Sequence, residues 1–281
     1  VMEETERLER LLAREQSRTD AAAQRQAFET FVSALEPWSY KGIGGNVPLT
    51  CGNFSYNGEV TGIGAGAQSV TVLMHRGSES GPKVVAKLWK GDKNSISMNV
   101  YHECDILEIL KKHDVPGTVS CEARCEHNNH PMIIVSPFME GKKKFFMGAV
   151  VESYFDSPQA VMRAVKDTFR TAWSMLEAGV ANADQGHNIL YDPDGTALFI
   201  DMGLASDLAT EMYDLMVDYH VKAFVKTIFK KVPSQWWQAA DGRAAQIMKE
   251  VGVPSLPPVP MRRASIDLSE LIKEHVRTLT S

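Results

Sequence analysis

Ala183-Asp184-Gln185-Gly186-His187-Asn188-Ile189-Leu190, followed by Phe199-Ile200-Asp201-Met202-Gly203, is the stretch around which the rest of the chain is organised. It predicts a polar loop, a short strand over 188–191, a turn at Asp192-Pro193-Asp194-Gly195, a second strand over 196–200 and an acidic turn ending in glycine. A hairpin of that form brings Asp184, Asn188 and Asp201 near one another. Two carboxylates and an amide oxygen suit Mg²⁺, a hard cation that takes oxygen ligands and often completes its shell with substrate phosphates. With ATP present, such a set serves phosphoryl transfer.

Upstream, Tyr56 to Thr61 leads into Gly62-Ile63-Gly64-Ala65-Gly66-Ala67-Gln68-Ser69 and then the β-rich run Val70 to Met74. Glycines between two strands let backbone N–H groups close over phosphates without Cβ interference. The plain reading of the same residues is a hairpin loop. Lys83 to Trp89 predicts another strand, in which Lys87 points to the same side as Val85. A lysine in a strand this apolar needs a reason, and an edge-strand charge is the plain one. A helix over 94–113 buries Val100, Ile106, Leu107 and Leu110, with Glu103 one turn before Ile106-Leu107. Strands over 118–125 and 132–136 follow, joined by a turn at Asn128-Asn129. Phe138-Met139-Glu140-Gly141 leaves the second one.

Helices dominate the remainder. One over 158–178 has Val161, Val165, Phe169, Trp173 and Leu176 on its core side. One over 209–230 carries Met212, Leu215, Met216, Tyr219, Phe224, Val225 and Ile228, and Pro233 stops it. A shorter helix over 235–251, a stiff linker with Pro254, Pro257, Pro258 and Pro260, and an amphipathic helix over 267–279 complete the chain. Residues 2–36 predict a long helix, read as an extension packed on the main body or as an arm for a partner. The glycine-rich stretch 38–57 reads as loop. Lys142 to Lys144 reads as a solvated run or a weak docking patch for an acidic partner. Arg262-Arg263-Ala264-Ser265 reads as a charged lead-in to the last helix or a phosphorylation site.

Composition narrows the classes of partner. A net charge of −5 and an isoelectric point near 5.9 argue against nucleic acid, whose binders carry a basic face. No apolar run approaches the ~20 residues that span a bilayer. The first twenty residues are crowded with Glu and Arg and show no signal-peptide pattern. The four cysteines, Cys51, Cys104, Cys121 and Cys125, do not look like a disulfide framework, so a reducing, cytoplasmic compartment is expected. Cys121, Cys125, His127 and His130 offer zinc-type ligands, but ligands along a straight strand converge poorly. Buried thiols on one strand face are the expectation there.

This order of parts resembles the protein-kinase-like fold, with a match over about residues 55–233. The resemblance implies an α+β, two-lobed architecture: an N-terminal helical extension (1–37), a small β-rich N-lobe with one helix (38–139), a reduced helical C-lobe (140–253), and a Pro-rich linker with a last helix (254–281). Gly64, Gly66 and Ser69 match the glycine loop, Ser69 standing where the third glycine belongs. Val84-Val85-Ala86-Lys87 is similar to the family's Val-Ala-Ile-Lys strand, which assigns Lys87 to the α- and β-phosphates of ATP. Glu103 corresponds to the helix glutamate that pairs with that lysine. Ile134 to Met139 is similar to the hinge, with Ser136 at the gatekeeper place and Phe138 beside the adenine. Asn188 and Asp201 correspond to the Mg²⁺ ligands, and Asp184 to the catalytic base. Asp218 aligns with the aspartate that opens the central helix.

Three departures accompany the match. The catalytic loop reads Asn182-Ala183-Asp184 in place of His-Arg-Asp, and Asn188 comes one residue early. No Ala-Pro-Glu follows Asp201, so the activation segment is nearly absent. The helical lobe is short, which resembles the compact effector kinases that some pathogenic bacteria inject into host cells. The resulting expectation is an ATP- and Mg²⁺-dependent kinase for protein Ser/Thr hydroxyls, cytoplasmic, or in the host cytosol for an injected effector. The rival readings are a pseudokinase serving as a binding module, and a small-molecule kinase of related fold.

Overall fold

The β-rich runs over 69–75 and 83–89 form two seven-residue strands. The structure is a computed structural model describing residues 49–51, 54–56, 61–65, 69–77, 80–89, 100–127, 130–139, 143–144, 154–185, 188–231, 259–262 and 268–280. In chain order its elements are β1 (Leu49–Cys51), β2 (Phe54–Tyr56), β3 (Thr61–Ala65), β4 (Ser69–His75), β5 (Lys83–Trp89), α1 (Val100–Lys112), β6 (Ser120–His127), β7 (His130–Ser136) and β8 (Lys143–Lys144). Then come α2 (Pro158–Glu177), β9 (Val180–Asn182), β10 (Ile189–Tyr191), β11 (Ala197–Phe199), β12 (Ala205–Asp207), α3 (Tyr213–Lys231) and α4 (Leu268–Thr280). The predicted helices over 2–36 and 235–251 lie outside the described residues. Among the described residues, no helix is long and apolar enough to cross a membrane.

The chain divides into two compact units: residues up to Tyr101 with Glu122–Phe138, and His102–Cys121 with Met139 onward. A five-stranded sheet in the order β3-β4-β5-β7-β6 organises the first. Alternation along its strands puts Val72, Met74, Val84, Ala86, Met132 and Ile134 on one face, where they form a buried cluster with Cys51. The stretch 38–57, expected to be loop, contains a small antiparallel hairpin instead, with Cys51 opposite Phe54. Its apolar residues are too few to show a period, and its anchor is covalent: Cys51 is bonded to Cys125.

The second unit is helical with three short pairings. α2 starts where Ser157 accepts the Ala160 N–H at 3.1 Å and Pro158 supplies a pre-set φ at the first turn. Its predicted core side is buried as expected: Val161, Val165, Phe169, Trp173 and Leu176. It stops at Gly179, whose φ of +74 suits glycine and whose Cβ would stand 2.6 Å from Leu208 Cδ1. β10 and β11 form the expected hairpin, with Leu190 opposite Leu198. Within the lysine run, Lys143 and Lys144 pair by their backbones with Tyr191 and Leu190 as β8. Strands β9 and β12, too short to be legible, pair outside that hairpin.

Two expectations are corrected here. Of the helix predicted over 209–230, Phe224 and Val225 are buried as expected, but Met212, Leu215 and Tyr219 are exposed, and Tyr213, Val217, His220 and Val221 complete the buried side instead. Apolar residues on both faces blur the period, and a histidine in the buried stripe hides its phase. The four cysteines are not free thiols. Cys51 pairs with Cys125 and Cys104 with Cys121, each with Cα atoms 5.3 Å apart, a separation suited to a bridge. Chain spacing does not reveal which cross-element partner a cysteine meets. The pairing takes away the thiolates that zinc would need and the support that unpaired cysteines gave to a reducing compartment.

Candidate functional site

The stretch 180–207 is two nested pairings. The outer one, β9 with β12, sets Asn182 opposite Ala205. The inner one is the β10–β11 hairpin, continued by Ile200 N–H donating to the Asn188 carbonyl at 2.8 Å. The nesting brings the connection after β9 and the connection before β12 side by side. Asp184 and Asn188 stand in the first, Asp201 and Met202 in the second.

Asn182, 1% exposed, joins the two. Its Oδ1 accepts the Asp184 N–H at 3.0 Å, and its Nδ2 donates to the Asp201 carbonyl and lies by Met202 Sδ, both at 3.4 Å. Asn188 Nδ2 donates to the Asp184 carbonyl at 2.9 Å and to Asp184 Oδ2 at 3.0 Å. With Nδ2 spent on Asp184, the side-chain Oδ1 of Asn188 is the atom left for a cation. Asp201 is exposed and has φ +62, in the left-handed region that few non-glycine residues occupy and that clusters at functional sites.

Glu103 is 2% exposed and accepts the Met202 N–H through Oε1 at 3.1 Å. Beside it, His102 Nε2 donates to the Ala205 carbonyl at 2.8 Å. Both residues belong to the second unit, so α1 is fastened at two points to the segment following Asp201. A Cβ at Gly203 would stand 3.5 Å from Asp201 Oδ1 and 3.9 Å from Glu103 Oε2. Two carboxylates flanking one glycine repel each other less when a cation sits nearby.

Beneath the loop lies His220 of α3, fully buried. Its Nδ1 accepts the Asn182 N–H at 2.9 Å, and its Nε2–H donates to the Ala172 carbonyl at 2.8 Å. The Gln185 amide also contacts its ring. Burial lowers the imidazole pKa from 6.5 to about 4, so the ring is neutral. His220 is therefore the α3 residue that supports the loop. Asp218 faces His275 of α4 at 3.1 Å. Sequence reading missed Asn182, His102 and His220. The available signal was a polar residue inside each apolar or catalytic pattern.

In the first unit, strand register makes a row. Gly64 is opposite Thr71, Thr71 opposite Lys87, and Lys87 opposite Ile133. Directly opposed side chains share a face, so Thr71, Lys87 and Ile133 project together. Gly64 lies in the same row two strands from Lys87, just past a register shift in β3. Lys87 is 7% exposed and sits on an interior strand, which excludes the edge-charge reading. Ser69 opens β4 opposite Trp89. Gly66 and His187 lie outside the described residues. The Ser136 hydroxyl donates to Glu122, which is also ion-paired with Arg76. The Phe138 ring lies 5.9 Å beneath Lys83 Nζ.

Among the described residues, no three His, Cys, Asp or Glu side chains gather as a metal site. A cation here would rest on the Asp201 carboxylate and the Asn188 side-chain oxygen, completed by phosphate or water, oxygen donors of the kind Mg²⁺ takes. No protein-family model matches the chain, and no curated protein matches it. Among solved structures, a chain of the CAK complex from Chaetomium thermophilum, bound to ATP-gamma-S, is similar at 17% identity with a TM-score of 0.49, over 78% of this chain and 83% of that one.

Proposed function

We propose that the chain is a reduced, protein-kinase-like enzyme that transfers the γ-phosphoryl group of ATP to serine or threonine hydroxyls of a protein. The observation that carries this reading is the clustering of Asp184, Asn188 and Asp201 around Asn182, which gives oxygen ligands and a candidate base in one place. Asn188 and Asp201 would hold Mg²⁺, which would neutralise phosphate charge when bound. The protein's own groups do the rest. Lys87 contributes a fixed positive charge toward the phosphates, and Gly64, with Gly66 and Ser69 beyond it, offers backbone amides. Asp184 keeps its Oδ1 for the proton of the attacking hydroxyl. Glu103 holds the Met202 amide and so sets the orientation of Asp201. Ser136 and Phe138 border the adenine. Phosphoryl transfer depends on alignment and charge more than on covalent help, so this short list suffices.

The test is incubation with γ-labelled ATP and Mg²⁺, with and without a cell lysate, beside an Asp201→Ala control. Label on protein that vanishes in the control supports the proposal. Nucleotide binding without transfer favours a pseudokinase, and label on small molecules alone favours a small-molecule kinase. Either of those outcomes overturns the protein-kinase reading.

A further inference from the structure

The bond between Cys104 and Cys121 stands one residue from Glu103. It closes a chain separation of 17 residues and ties the first turn of α1 to the start of β6, within the second unit. We propose that this bond is a reducible modification site that governs whether Glu103 holds the Met202 amide. The other bridge differs in place. Cys51 is 0% exposed and sits among the sheet's apolar cluster, within the first unit.

The two sulfurs of the proposed site are unequal. Cys104 is 0% exposed, whereas Cys121 is half-buried. A dithiol reductant therefore attacks Cys121 Sγ: its thiolate forms a mixed disulfide there as the S–S bond breaks, and Cys104 leaves with the electron pair. The reductant's second thiol then displaces Cys121 and closes its own disulfide. Two electrons and two protons pass to the protein, giving two thiols. The departing Cys104 thiolate takes its proton from solvent, and Glu108 Oε1, 3.9 Å from Cys104 Sγ, stands ready to accept from the thiol so formed.

Reduction leaves α1 in place. Ile106, Leu107 and Leu110 stay buried, and they fasten its later turns without help from the bridge. What is lost is the covalent restraint beside Glu103, so the hold on Met202 then rests on non-covalent contacts, the Glu103 bond with the His102–Ala205 bond beside it. The consequence for catalysis rests on the kinase reading given above. The structural consequence does not, and it can be read without nucleotide.

Hydrogen exchange of the Met202 amide in the full-length protein is the readout, measured with and without dithiothreitol. Reduction should speed exchange at Met202 about tenfold while α2 amides keep their protection. A Cys104→Ser/Cys121→Ser variant should exchange fast in both conditions, and a Cys51→Ser/Cys125→Ser variant should still respond. Unchanged exchange in reduced wild type overturns the proposal even if a variant fails to fold. So does a response that survives in the Cys104→Ser/Cys121→Ser variant, or simultaneous loss of protection in α2.

Discussion

Acid should weaken this protein through His220, and the size of the effect follows from its surroundings. The ring is fully buried, with Nδ1 accepting from the Asn182 N–H and Nε2–H donating to Ala172. A proton on Nδ1 would face the Asn182 N–H donor to donor. The pKa is accordingly lowered from 6.5 to about 4 in the folded state and reverts to the ordinary value on unfolding. The sign is that of a depressed group: the stabilisation is complete above pH 6.5 and is lost as pH falls toward 4. Linkage gives a loss of about 2 kcal/mol at pH 5 and on the order of 3 kcal/mol at pH 4. Other groups titrate in the same range, so the measurement is a difference. His220→Asn keeps an acceptor for the Asn182 N–H without a titrating group. Its lost Ala172 bond and smaller volume cost about 1–2 kcal/mol at neutral pH. Urea unfolding of both proteins from pH 7.5 to 5 should show the gap between them closing, then reversing. A gap constant to within about 0.5 kcal/mol would refute the argument.

Asn182→Ala should cost on the order of 2 kcal/mol, since the Asp184 N–H and the Asp201 carbonyl lose their partner; Asn182→Asp keeps the acceptor and should retain part of that, as urea midpoints will show. Gly195→Ala should cost about 2–4 kcal/mol in thermal unfolding, because φ is +91 and the new Cβ would lie 2.0 Å from the Ala160 carbonyl oxygen. Lys87→Ala should abolish phosphoryl transfer with an unchanged circular dichroism spectrum; full activity would remove Lys87 from the site.

The long elements were legible because their periods are clean. α2 announces itself by Ser157-Pro158 and an unbroken apolar stripe, and β4 and β5 by runs rich in β-branched and apolar residues. Asp184, Asn188 and Asp201 could be grouped because a turn at Asp192–Gly195 fixes a hairpin locally. The missing part is tertiary. No local pattern says that Asn182 will face Ala205, that His220 will accept from the loop, or that Cys104 will meet Cys121. Short strands such as β9 and β12 exist only because each finds the other. α3 shows the opposite failure, where abundant apolar residues suggested a face and burial chose another.

The nested pairings at 180–207 have a consequence for how this stretch can vary in length. At one end His220 pins the backbone of Asn182; at the other Gly195 abuts Ala160 without room for a methyl group. Strand registers fix what lies between. An added or deleted residue can be absorbed only in the two connections, after β9 and before β12. The one-residue shortening between Asp184 and Asn188, relative to the motif the sequence resembles, falls in the first of these two.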